Sequence, residues 1–197
     1  MIIGLTGGIA TGKSTVSKIL KNYGAYIIDA DKIAHEVLSK GEEAWKKVID
    51  EFGEQVLNKN KEIDRKVLGE IVFSDKSKLR ELEKITHPEI VKKIKKEIKS
   101  NKDKEGNIVL EAPLLFETGL EGLCDEIWVV YTDRETQVKR LLKRDKLSIK
   151  EAENRINSQM DLKKKKKKAD RLLNNNKNIG NLKKRVDELW KKINKNT

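Results

Sequence analysis

The chain begins Met1-Ile2-Ile3-Gly4-Leu5-Thr6-Gly7-Gly8-Ile9-Ala10-Thr11-Gly12-Lys13-Ser14-Thr15. Met1 to Leu5 is a short apolar run stopped by glycines, the pattern of a buried strand. From Lys13 to Tyr23, Val16, Ile19, Leu20 and Tyr23 recur at i, i+3, i+4 and i+7, which predicts an amphipathic helix ended by Gly24. Between the two, Gly7 to Ser14 matches G-x-x-x-x-G-K-[ST], and a strand before with a helix after is the context that gives this motif meaning. The glycines let the loop wrap inward so that backbone N–H groups face phosphate oxygens, and the helix adds its positive end. Gly8, Ala10, Thr11, Gly12, Lys13, Ser14 and Thr15 are therefore the candidate ATP-phosphate site. Lys13 is expected to reach the β- and γ-phosphates, and Ser14 to hold Mg²⁺. The plainer alternative, a glycine-rich turn with no ligand, does not need both flanking elements.

Outward from this loop, Ala25 to Ile28 reads as a second strand closed by Asp29-Ala30-Asp31. Between Lys32 and Ser100 no convincing strand appears; Trp45, Val48, Ile49 and Phe52, then Val67, Leu68, Ile71 and Val72, mark helical faces, with Asp64 as an N-cap. Further helices are expected over Leu79 to Ile85 and Ile90 to Ile98, then a polar loop from Ser100 to Gly106. Asn107–Glu111 and Glu126–Tyr131 read as strands, Glu135–Arg144 as a helix, Ser148 with Glu151 as a capping box, and Arg171–Leu173 as a last strand. Short apolar strands alternating with helices predict an α/β fold: a doubly wound, parallel, five-stranded sheet. Residues 1–31, 101–136 and 169–197 are expected to form the core, 32–100 a helical insertion, and 137–168 a lid.

Composition narrows the function. The 197 residues carry a net charge of +12, and only 37% are hydrophobic. No apolar run approaches a membrane span, and the start lacks the basic and long apolar parts of a signal peptide. The single cysteine, Cys124, excludes an internal disulfide, reads as a buried structural thiol and suits a reducing, cytoplasmic setting. A guanine-specific switch needs N-K-x-D, which is absent; Asp50-Glu51-Phe52-Gly53 has D-x-x-G spacing but reads as a helix end. Nucleic acid ranks second as a partner, because zinc-finger spacing and base-stacking aromatics are missing. The run Lys163–Lys168 reads as a solvated lid segment.

That leaves a small phosphotransferase. Asp29 and Asp31 follow the carboxyl end of the second strand, where open α/β sheets bind ligands. Asp29 is either a helix N-cap or part of the site. Asp31 is the better candidate to orient or deprotonate an attacking hydroxyl. Arg140 and Arg144 lie one helical turn apart, with Arg155 beyond; they form either a phosphate clamp or a solvated face.

These residues resemble the dephospho-coenzyme A kinase family. Similar to that family are Gly4–Thr15, Ile28-Asp29-Ala30-Asp31-Lys32-Ile33-Ala34, Asp64-Arg65 with Val72-Phe73, His87-Pro88 and Ala112-Pro113-Leu114-Leu115-Phe116-Glu117. So are Gln137, Lys139-Arg140, Arg144-Asp145, Arg155-Ile156, Gln159, Ala169-Asp170 and Asn174-Asn175. The resemblance implies ATP and dephospho-coenzyme A as substrates, Mg²⁺ with the nucleotide, and phosphorylation of the ribose 3′-hydroxyl. By the same resemblance Asp31 is the base or orienter, Arg65, His87 and Leu115 hold the acceptor, Arg140 contacts ATP and Arg144 acts in the lid. Glu111 departs from the pattern, standing where many members carry Asp.

Overall fold

The computed structural model describes residues 1–102, 106–176 and 178–195. Its elements run β1 (Ile2–Gly7), α1 (Lys13–Asn22), β2 (Tyr26–Asp29), α2 (Ala30–Glu36), α3 (Glu43–Phe52), α4 (Arg65–Phe73) and α5 (Lys76–Lys102). They continue β3 (Ile108–Glu111), β4 (Glu126–Tyr131), α6 (Arg134–Asp145), α7 (Ile149–Asn157), α8 (Leu162–Lys167), β5 (Arg171–Asn174) and α9 (Ile179–Lys195). The chain divides into two compact units, Met1–Ile28 with Asn101–Thr197, and Asp29–Ser100.

The first unit is built on a five-stranded parallel sheet of order β2-β3-β1-β4-β5. All four residues of β3 are buried, as are Ile3 to Gly7 of β1. This is why these strands read as continuous apolar runs: a parallel sheet is covered on both faces. On one face Ile3, Leu5, Trp128, Val130 and Leu173 pack with Val16 and Leu20 of α1 and Leu182, Val186, Leu189 and Trp190 of α9. On the other, Gly4 leaves room for its neighbours: a Cβ there would sit 2.8 Å from Cys124 Sγ and 3.0 Å from Leu115 Cδ2.

The strand order also locates the site. The connection after β1 leads to β2 on one side of the sheet, and the connection after β4 leads to β5 on the other. The carboxyl ends of the adjacent strands β1 and β4 are thus a topological switch point, where doubly wound sheets open a crevice for ligands.

The second unit is helical. Val48, Phe52, Val56, Ile63, Leu68 and Val72 form its core, with Trp45, Leu79, Leu82 and Ile85 against it. Asp64 caps α4, accepting from the N–H groups of Lys66 and Val67 at 3.0 and 3.2 Å. The sequence reads as separate helices on either side of His87-Pro88; instead α5 runs unbroken from Lys76 to Lys102 with Pro88 inside it. Proline removes one i→i−4 hydrogen bond, but the apolar stripe continues across it and tertiary packing overrides the local break. Ser100 to Lys102, expected to open the polar loop, are helical; residues 103–105 of that loop lie outside the described residues.

Candidate active site

The loop between β1 and α1 turns its carbonyls outward, and side chains hold them there. Thr11 Oγ1 donates to Gly8 O at 2.8 Å, Gln137 Nε2 to Ile9 O at 2.7 Å, an Arg140 guanidinium nitrogen to Ala10 O at 3.1 Å, and Asn175 Nδ2 to Thr11 O at 2.8 Å. Four successive peptide units are fixed from behind. Ala10 and Gly12 adopt φ of 60° and 95°, the left-handed turns that bend the loop inward. Gly12 is required twice over, since a Cβ would also lie 2.1 Å from Asn175 Nδ2. Gly12 is the N-cap of α1 and offers no side-chain cap. Among the described residues, the N–H groups of Gly12, Lys13 and Ser14 have no protein acceptor. A helix start with orphan donors and no cap is a ready anion site.

Lys13 Nζ lies 2.5 Å from Glu111 Oε1, with the two side chains 14% and 11% exposed. Glu111 ends β3, so the strand beside β1 delivers a carboxylate to the loop lysine. The longer side chain at this position therefore has a partner. Ser14 is exposed in the first turn of α1, so its hydroxyl faces solvent beside the loop.

At the switch point lies a cleft of about 600 Å³. Gly8 and Gln137 line it, together with Tyr131 at the end of β4, Thr132 to Arg134 beyond it and Asn176 after β5. Its remaining wall is Ile156, Asn157 and the stretch Gln159 to Lys163 with Lys166, from the end of α7 through α8. Gln159 ties this wall to the loop, its Oε1 accepting from Ile9 N–H at 2.8 Å. Asp133 caps α6, and the donated N–H of Thr136 holds its carboxyl below the usual carboxylate range.

The two arginines of α6 end differently. Arg140 bridges Ala10 O and, at 2.9 Å, Asn175 O. Arg144, which the sequence leaves between a phosphate clamp and a solvated face, is held bidentately by Asp145 at 2.7 and 2.9 Å, and Arg155 binds the same carboxylate at 3.0 Å. The adjacent Asp145 intercepts both guanidiniums. Leu115, expected to hold the acceptor, is fully buried, and its side chain packs beside Gly4. Thr11 is buried as well, with its hydroxyl spent on the loop itself. Cys124 is half-buried, and burial pushes its thiol up to about 12.

The lysine run is not a solvated segment throughout. Lys165 is fully buried, its ammonium 2.6 Å from Pro113 O and 2.9 Å from Glu117 Oε1. Lys166 and Lys168 lie over the rings of Tyr131 and Phe116, 4.2 and 5.1 Å from the centroids. An amphipathic side chain of this length covers apolar surface while keeping its charge satisfied.

The remaining candidates lie in the helical unit. Asp29 accepts from Lys32 N–H at 3.1 Å and is the N-cap of α2. Asp31 is exposed in the first turn of that helix. Arg65 begins α4 and binds His35, donating both to its ring Nδ1 and to its carbonyl, the latter at 3.3 Å. An arginine only donates, so Nδ1 presents its lone pair. His87 is half-buried within α5. Sequence reasoning assigned no role to His35 or Lys165, and placed Gln137, Gln159 and Asn175 in a resemblance without roles. Their long-range hydrogen bonds carry no local signal.

The profile of the dephospho-CoA kinase family matches residues 1–181. A Carboxydothermus hydrogenoformans protein named dephospho-CoA kinase is 48% identical over 179 residues, 90% of this chain and 87% of that one. Among solved structures, a Campylobacter jejuni dephospho-CoA kinase superposes with a TM-score of 0.77 at 37% identity, covering 99% of this chain and 98% of its own. A Thermus thermophilus protein reaches 0.83 at 32% identity, covering 98% and 97%. Loop, switch-point cleft and matched length converge, and the chain belongs to the dephospho-CoA kinase family.

Proposed function

We propose that this protein transfers the γ-phosphate of ATP to the ribose 3′-hydroxyl of dephospho-coenzyme A, yielding ADP and coenzyme A. The observation that carries this reading is the pre-set loop: carbonyls held outward, orphan N–H groups at the start of α1, and Lys13 waiting on Glu111. When triphosphate arrives, Lys13 exchanges the Glu111 carboxylate for β- and γ-phosphate oxygens. The loop N–H groups take the remaining charge without having to reorganise, which is where electrostatic catalysis is strongest.

Among the described residues no group of three or more His, Cys, Asp or Glu forms a metal cage. Mg²⁺ in phosphotransferases takes most of its ligands from phosphates and water, so one hydroxyl, Ser14, with the carboxylate of Glu111 nearby through Lys13, is a fitting donor set. The ion would supply charge neutralisation on the transferring group. Asp31 orients the acceptor hydroxyl, while Arg65, braced by His35, and His87 bind the acceptor. Arg140 keeps the loop in register. No helix among the described residues is long and apolar enough to cross a membrane, and a cytoplasmic setting fits the lone thiol.

The test is ADP release with Mg-ATP, comparing dephospho-coenzyme A with AMP, adenosine and no acceptor. Turnover driven by dephospho-coenzyme A alone is expected. Equal or faster turnover with another acceptor would end the acceptor assignment.

A further inference from the structure

A buried ammonium is costly unless every proton finds an acceptor. Lys165 is fully buried in a helix whose neighbouring lysines, Lys164 and Lys167, are exposed. Its Nζ lies 2.9 and 3.2 Å from the two Glu117 oxygens and 2.6 Å from Pro113 O. Both partners have second contacts. Glu117 Oε1 accepts Met160 N–H at 2.9 Å, and Pro113 O accepts the Thr6 hydroxyl at 3.2 Å, one residue before the phosphate loop opens. Met160 follows Gln159, whose Oε1 takes Ile9 N–H. The corner at residues 159–160 is thus bolted on one side to the loop after β3 and on the other to the phosphate loop. Lys165 sits at the first bolt and does not itself line the cleft, whereas Gln159, Met160, Asp161, Leu162, Lys163 and Lys166 do.

We infer that Lys165, alone among the six consecutive lysines, is a positioning residue that sets the α7–α8 wall of the cleft against the phosphate loop and so governs nucleotide affinity. The inference rests on the reading of that loop as the nucleotide site. It acts through Glu117 and the 159–160 corner, not by touching the nucleotide. A general effect of positive charge on polyphosphate binding would instead be shared by the exposed lysines of the same run.

The experiment measures the affinity of a fluorescent ADP analogue with Mg²⁺, and the thermal midpoint, for the wild type, Lys167→Met, Lys165→Met and the pair-neutralised double variant Lys165→Met/Glu117→Gln. The double variant removes the buried charge together with its partner, so it keeps the test alive should the single variant fail to fold. Nucleotide binding at least tenfold weaker is expected for either Lys165 variant that melts as the wild type does, and binding within twofold of wild type for Lys167→Met. A folded double variant that binds as the wild type does would overturn the inference, as would an equal loss in Lys167→Met. A wild type that binds no nucleotide would instead overturn the reading of the loop on which the inference rests.

Discussion

Two lysine–glutamate pairs flank the same stretch of chain, and they are built for opposite ends. Glu111 and Glu117 stand on either side of Ala112–Phe116. Glu111 holds Lys13 of the phosphate loop; Glu117 holds Lys165 of α8. Among the described residues Lys13 has one acceptor, at the edge of an anion site, and its side chain keeps 14% exposure. Lys165 has two acceptor groups and no exposure. An ammonium with N–H groups still to place can trade its carboxylate for phosphate; one with its donors already engaged in the interior stays where it is. The difference separates a pair made to open from a pair made to hold.

Removing Lys13 has the largest expected effect. Lys13→Ala loses at least about 100-fold in kcat, and its thermal midpoint falls because Glu111 is left buried without its cation. Adding Glu111→Gln restores the midpoint but not the turnover, as measured by melting and ADP release. If the double variant recovered both, the pair would be merely structural, like the other.

At the second pair, Lys165→Ala leaves a carboxylate and a carbonyl without their cation and costs about 3 kcal/mol of stability by urea unfolding. Lys84→Ala on α5 is the control. Its partner is Glu81, both side chains are largely exposed at 70% and 43%, and the change stays within about 0.5 kcal/mol. Equal losses would show that the buried lysine of α8 is held no more firmly than a surface one.

The arginines of α6 sharpen the contrast between held and spare charge. Arg140→Ala strips two loop-side carbonyls of their donor and raises KM for ATP roughly tenfold, about 1.4 kcal/mol. Arg144→Ala, whose guanidinium is taken by Asp145, changes it by less than about threefold.

The smallest effect concerns two hydrogen-bonded carboxylates near the surface. The Arg144 hydrogen bonds hold Asp145 below the usual carboxylate range, and the Ser148 hydrogen bonds do the same for Glu151. A carboxylate with a lowered folded value contributes stability above its unfolded value, near pH 4, and loses it as pH falls through the lowered one. The melting temperature should therefore decline below about pH 4, and Asp145→Asn should flatten that decline slightly.

Much of this was legible in the sequence, and the exceptions share a cause. The phosphate loop, the strands and the caps of Asp64 and Ser148 are local patterns, each complete within a few residues. Lys165 could not be singled out, because it is one of six consecutive lysines and the carboxylate that selects it lies 48 residues away. The pairing of His35 with Arg65 spans 30 residues and carries no periodic mark. For Arg144 the spacing left a phosphate clamp and a solvated face both open, and its carboxylate partner is the next residue, Asp145. Pro88 misled, since a local breaker was read as a boundary where packing carries the helix through.

The most direct test of the account is to identify the phosphorylated product. Incubation with Mg-ATP and dephospho-coenzyme A, followed by phosphorus NMR of the separated product, should show one new phosphomonoester on the ribose 3′-oxygen, matched one-to-one by ADP. ADP accompanied only by inorganic phosphate, or a phosphate placed elsewhere on the acceptor, would contradict it.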